Sequence, residues 1–195
     1  MDLLLVRHGE PDYSDVDKRG YAGHGRDLAK LTEKGVQQAE QAAGDKRLPG
    51  ADLILSSPYT RALQTASVIS RVTGIPLTVE TDLHEWMPDL TFTYTGPEEI
   101  PAILKEMERY EGEWCSECKY HWESLSKVGE RAFLAVKKYM HCKKIIVVSH
   151  ETVIQRFIER KSVASGSVIQ MDFQQEAGGW DFTVKACKEN QQPQN

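Results

Sequence analysis

Three segments of the chain are unbroken aliphatic runs that open with a charge: Asp2 to Val6, Asp52 to Leu55 and Lys144 to Val148. Continuous apolar runs, as opposed to alternation, suit strands covered on both faces, so each predicts an interior strand of a parallel sheet. Between them, apolar positions recur at spacings of three and four. Thr32 is a good N-cap for a helix over Glu33 to Asp45 that turns Val36, Ala39 and Ala43 inward. Pro58 is placed to start a second helix, with Ala62, Ala66, Ile69 and Val72 inward and a stop at Gly74. Ser124 to Met140 carries Leu125, Val128, Ala132, Val136 and Tyr139 on one face, and another helix follows His150 with Val153, Ile154, Phe157 and Ile158 as its stripe. Further strands are predicted at Leu77 to Val79, Val168 to Phe173 and Trp180 to Ala186.

Strands alternating with helices predict an α/β fold: a three-layer α/β/α sandwich around a mostly parallel, doubly wound sheet. One domain is expected over residues 1–188, followed by a polar tail, 189–195, expected to be disordered. Residues 86–121 interrupt the alternation. They hold Trp86, Phe92, Tyr94, Trp114 and Tyr120 beside the acidic stretch "GPEEIPAILKEMERYEGE". This segment is predicted to be a small cap insertion over one end of the sheet, with Trp86, Tyr94 and Trp114 filling a core of its own in preference to stacking on a ligand ring.

The bulk properties narrow the function classes. A chain of 195 residues with 40% hydrophobic and 27% charged content suits one soluble core, and no apolar run approaches the roughly 18 residues of a membrane span. The first residues lack the basic start and long apolar stretch of a signal peptide, so a cytoplasmic location is expected. A net charge of -5 argues against a nucleic-acid surface. Cys115, Cys118, Cys142 and Cys187 are too few for a disulfide framework, and reduced thiols are expected. The Cys115-x-x-Cys118 pair followed by His121 invites a zinc reading, but neither His141 nor Cys142 has the spacing of a fourth ligand. Two ordinary thiols are the favoured reading, and no metal is assigned. His24, in the loop Gly20 to Gly25, is expected to be an exposed loop residue. No motif specifies an oligomeric state.

The chemistry is concentrated at the ends of the three aliphatic runs. After the first comes Arg7-His8-Gly9-Glu10, after the second Ser56-Ser57-Pro58-Tyr59-Thr60-Arg61, and after the third Ser149-His150-Glu151-Thr152. Ligands of open α/β sheets bind beyond the carboxyl ends of strands, so two arginines and two histidines are expected to meet there. A single histidine after a strand is most often structural. Several cationic groups at one edge repel unless an anion lies between them. Guanidinium forks and the start of a helix match a phosphoryl group, and a neutral imidazole can attack phosphorus.

Five segments, "LVRHGE", "LTEKGVQQA", "LSSPYTRALQTA", "LHEW" and "VVSHETVI", occur in an order that resembles the histidine phosphatase, or phosphoglycerate mutase-like, superfamily. The resemblance implies that His8 is the nucleophile that becomes phosphorylated, that Arg7, Arg61 and His150 hold the phosphoryl oxygens, and that Glu85 protonates the leaving oxygen. It implies no cofactor. Ser14 stands about where many members carry an asparagine that touches phosphate, and Thr152 can offer its hydroxyl and N–H, while Glu151 would repel phosphate unless it turns away. The expected activity is a phosphomonoester phosphatase working through a phosphohistidine on a small phosphorylated metabolite. The alternatives are mutase-type transfer to a phosphoglycerate and a catalytically silent phosphate-binding protein.

Overall fold

The computed structural model describes residues 1–174. The strand predicted at Trp180 to Ala186 and the predicted tail lie outside the described residues. Five strands form the main sheet: β1 (Asp2–Arg7), β4 (Leu53–Ser56), β5 (Leu77–Val79), β6 (Lys144–Ser149) and β7 (Val168–Asp172). Their order is β5-β4-β6-β1-β7, with every pairing parallel except β1 with the edge strand β7. The short strands β2 (Pro11–Asp12) and β3 (Lys30–Leu31) pair separately.

Each aliphatic run feeds both faces of the sheet. Leu3, Leu5, Leu55, Ile145 and Val147 pack on one side with α5 (Leu125–Lys137) and α6 (Glu151–Phe157). Leu4, Val6, Ile54, Ile146 and Val148 pack on the other with α2 (Glu33–Ala43) and α3 (Thr60–Thr73). Helices on both sides of a sheet whose core strands are fully buried give the predicted three layers.

Local signals act as anticipated in most places. The Thr32 hydroxyl accepts the N–H of Gly35 and caps α2, and Gly74, at φ 73°, closes α3 in the left-handed conformation. Two details differ. α3 starts at Thr60, with Tyr59 in extended conformation before it, so Pro58 lies just outside the helix. Val72, predicted inward, is 57% exposed. At about 100° per residue it falls roughly 80° from the line of Ala62, Ala66 and Ile69, beyond the buried stripe.

Between β5 and α5 the chain forms two short 3-10 turns and the helix α4 (Ile100–Arg109), with α1 (Ser14–Lys18) lying earlier in the chain. Trp86 and Trp122 are buried in the cluster that also holds Leu5 and Val147. Trp86 therefore shares the core beneath the sheet and Trp114 is exposed, in contrast to the separate core expected for this segment. The parallel register sets Arg7 opposite Ser149 and Val148 opposite both Val6 and Ser56, so three neighbouring strands end level.

Candidate active site

His8 follows β1, Ser57 follows β4 and His150 follows β6, so the central strands deliver these residues to one edge. The rings of His8 and His150 lie 5.0 Å apart, edge to face. Arg61, in the first turn of α3, is 4% exposed, and its Nε donates to His8 Nε2 at 3.3 Å. His8 Nδ1 lies 2.7 Å from the Gly9 carbonyl. A carbonyl only accepts, so Nδ1 bears the proton and the lone pair of Nε2 faces Arg61. Burial, with Arg61 and Arg7 adding repulsion, lowers the His8 pKa to about 3. The imidazole is neutral across the physiological range.

His150 is fully buried, and the same causes, burial first and then Arg61, hold its pKa well below the ordinary value. Its Nε2 lies 2.7 Å from the hydroxyl of Ser57, which also receives the N–H of Tyr59 at 3.3 Å. With that hydroxyl donating to Nε2, Nδ1 carries the proton, and it has no hydrogen-bond partner among the described residues. The Arg7 Nε is buried and likewise unpartnered. Arg7 Nη1 donates to the Val163 carbonyl and pairs with Glu151 at 2.9 Å. Glu151 thus turns to Arg7 and to the Val163 N–H, which it accepts at 2.8 Å.

Glu85 is half-buried on the turn after β5. Burial raises its pKa, opposed in decreasing order by the Trp86 N–H, the charge of Arg61 and hydrogen bonds from Thr152. Thr152 therefore lies close to Glu85. The turn itself is clamped: Arg131 donates to the carbonyls of Asp82, His84 and Glu85 at 2.6, 2.8 and 3.2 Å. Its charge is balanced by Glu123 at 2.7 Å. Ser14 does not join the group; it is exposed at the start of α1, and its N–H goes to Asp12 at 2.9 Å.

Sequence reasoning missed Asp27, Arg131 and Glu123. Asp27 pairs with Arg61 Nη1 at 3.0 Å and lies 3.7 Å from His24 Nδ1. His24 is accordingly no exposed loop residue: it is half-buried, its ring tilted against Phe92 at 4.5 Å, with Nε2 2.8 Å from the Asp89 carbonyl. The hydrogen bond that its ring donates to Asp27 is the main cause of its raised pKa. The three-residue spacing of His24 and Asp27 was the available signal. His121 turns its ring to Trp114 at 4.9 Å, and among the described residues no group of three or more His, Cys, Asp or Glu is placed to hold a metal ion. No helix among them is long and apolar enough to cross a membrane.

The profile of the histidine phosphatase superfamily (branch 1) matches residues 3–167. Adenosylcobalamin/alpha-ribazole phosphatase of Escherichia coli is 26% identical over 171 residues, covering 82% of this chain and 78% of that protein. A 2,3-bisphosphoglycerate-dependent phosphoglycerate mutase of Thermoplasma acidophilum is 44% identical over 69 residues, 34% of this chain and 32% of the mutase. Among solved structures, the alpha-ribazole phosphatase of Shigella flexneri superposes with a TM-score of 0.66 at 25% identity, covering 90% of this chain and 92% of that one. A mycobacterial glucosyl-3-phosphoglycerate phosphatase shares the fold, with a TM-score of 0.65 at 21% identity over 88% and 90% of the two chains.

Proposed function

The chain belongs to the histidine phosphatase superfamily, branch 1, and from that premise we propose that it hydrolyses small phosphomonoesters through a phosphohistidine on His8. The observation that carries the reading is the tautomer of His8: Nδ1–H is committed to the Gly9 carbonyl, and the Nε2 lone pair faces the edge where Arg61 and His150 converge. Nε2 attacks phosphorus while the ester oxygen leaves in line. Arg61, the unpartnered Nε of Arg7 and the unpartnered Nδ1–H of His150 supply donors for the equatorial oxygens, where charge accumulates in the transition state. Because these groups are fixed before substrate arrives, little reorganisation accompanies the reaction.

Glu85 acts as the general acid. Its raised pKa favours the protonated carboxyl, and an arriving phosphate dianion raises it further. Delivering that proton to an alkoxide leaving group contributes about 10²–10⁴-fold. The resulting carboxylate then accepts a proton from the water that attacks the phosphohistidine, which regenerates His8 and releases inorganic phosphate. Thr152 holds Glu85 in this scheme, and Ser14 has no part in it.

The local identity to a phosphoglycerate mutase supports a second reading, in which the phosphoryl group passes to a phosphoglycerate. The two are separated by supplying each of a set of phosphomonoesters, including 3-phosphoglycerate, and measuring inorganic phosphate beside isomerised phosphoglycerate. Hydrolysis predicts stoichiometric phosphate release; isomerisation without net phosphate would overturn it in favour of transfer.

A further inference from the structure

The sulfurs of Cys115 and Cys118 lie 3.8 Å apart, well away in sequence from His8 and His150. The two residues are the corners of a turn closed by the Cys118 N–H on the Cys115 carbonyl at 3.0 Å. Such a turn brings its end Cα atoms within about 7 Å, which overlaps the range that a disulfide spans. The Cys115 N–H also donates toward the Cys118 sulfur at 3.4 Å, so both sulfurs sit on the same side of the turn.

Access to the two thiols differs. Cys115 is half-exposed and Cys118 buried, while Ser116 and Glu117 between them are exposed. The turn is held from its far side. Glu106, on α4, accepts the N–H groups of Lys119 and Tyr120 at 2.9 and 3.0 Å and the indole N–H of Trp122 at 3.1 Å. On the near side, the Trp114 N–H goes to the Ser124 hydroxyl at 2.9 Å. This frame keeps the thiols in register, and no third ligand is placed to hold a metal between them among the described residues.

We propose that Cys115 and Cys118 form a thiol–disulfide exchange site, with a low-molecular-weight disulfide as its oxidant. The accessible Cys115 thiolate attacks one sulfur of the small disulfide, breaking its S–S bond, releasing one thiol and leaving a mixed disulfide on Cys115. Cys118, after losing its proton, attacks the Cys115 sulfur and expels the second small thiol. Two protein thiols are oxidised to one disulfide, and the small disulfide is reduced to two thiols. Burial raises the Cys118 thiol, which slows the second step at neutral pH. The site is independent of the phosphatase reading.

The test incubates the reduced full-length protein with oxidised glutathione, blocks remaining thiols with N-ethylmaleimide and maps the tryptic peptides. Both cysteines fall on the peptide Tyr110 to Lys119, whereas Cys142 falls on another. The expected result is an unblocked Tyr110–Lys119 peptide about 2 Da lighter than its dithiol form, from loss of two hydrogens. Cys118→Ser should retain glutathione on Cys115, and Cys115→Ser should react with glutathione at least about tenfold more slowly, since only the buried thiol is left. A wild-type Tyr110–Lys119 peptide that carries two maleimides, or glutathione on each cysteine, would overturn the proposal.

Discussion

Gly9 and Gly35 meet backbone to backbone: a Cβ built on Gly9 would lie 2.2 Å from the Gly35 carbonyl oxygen, and one on Gly35 would lie 2.2 Å from that of Glu10. The loop that carries His8 therefore rests on the first turn of α2 with no room for a side chain at either place. Gly35→Ala should destabilise the fold by more than about 2 kcal/mol, because backbone on both sides must shift. Gly44→Ala, whose added carbon would make ordinary 3.4 Å contact, should stay within about 0.5 kcal/mol. Urea denaturation of the two variants checks the contrast.

Glu85→Gln keeps the shape of the turn and removes the transferable proton. Turnover of an alkyl phosphate should fall by about 10²–10⁴-fold, while an aryl phosphate with a good leaving group should lose far less. Steady-state kinetics on the two substrate types reads the difference. Equal losses on both would assign Glu85 to binding instead of proton transfer.

The depressed pKa of His8, from 6.5 to about 3, links stability to pH. The unfolded chain takes up a proton on His8 near pH 6.5 and the folded one does not. The contribution is therefore fully present above pH 6.5 and is lost progressively as pH falls toward 3. His150, shifted in the same direction, adds to the effect. By about pH 4.5 the loss attributable to His8 should reach roughly 2–3 kcal/mol. Wild-type protein should thus lose more stability between pH 7 and about 4.5 than His8→Asn, measured by denaturation at each pH.

Arg131 balances the buried Glu123 and holds three carbonyls of the turn that bears Glu85. Arg131→Ala leaves that carboxylate buried without its partner and should cost about 3–5 kcal/mol. Lys127→Ala, which removes an exposed pair with Glu130, should change stability by less than about 1 kcal/mol. Thermal unfolding of both variants tests whether the clamp or mere charge counting governs the turn.

The three aliphatic runs announced the centre of the sheet because strands covered on both faces admit no polar residue in their interiors, and residues 7, 8, 61 and 150 followed from where those runs stop. Thr32 and Gly74 were legible for a similar reason, since a cap depends on local backbone geometry alone. Val72 departs from its predicted inward place because spacings of three and four include a position that the helical angle carries out to solvent. Glu123 and Arg131 lay beyond sequence reasoning, since Arg131 acts on carbonyls 46 to 49 positions away, and the spacing of Asp27 from His24 gave no sign of its tertiary contact with Arg61. Thr152 is assigned to phosphate on its place after His150, and Glu85 is a neighbour that its place in the sequence does not announce.

The most direct test of a phosphohistidine mechanism is capture of the intermediate. Enzyme mixed with a phosphomonoester is quenched in alkali within milliseconds, where phosphohistidine survives, and its peptides are mapped by mass spectrometry. The expected result is a phosphoryl group on His8, formed before phosphate is released and absent from His8→Ala, whose turnover falls by at least about 10³-fold. Turnover that proceeds with His8 never phosphorylated, or that survives in His8→Ala, would contradict it.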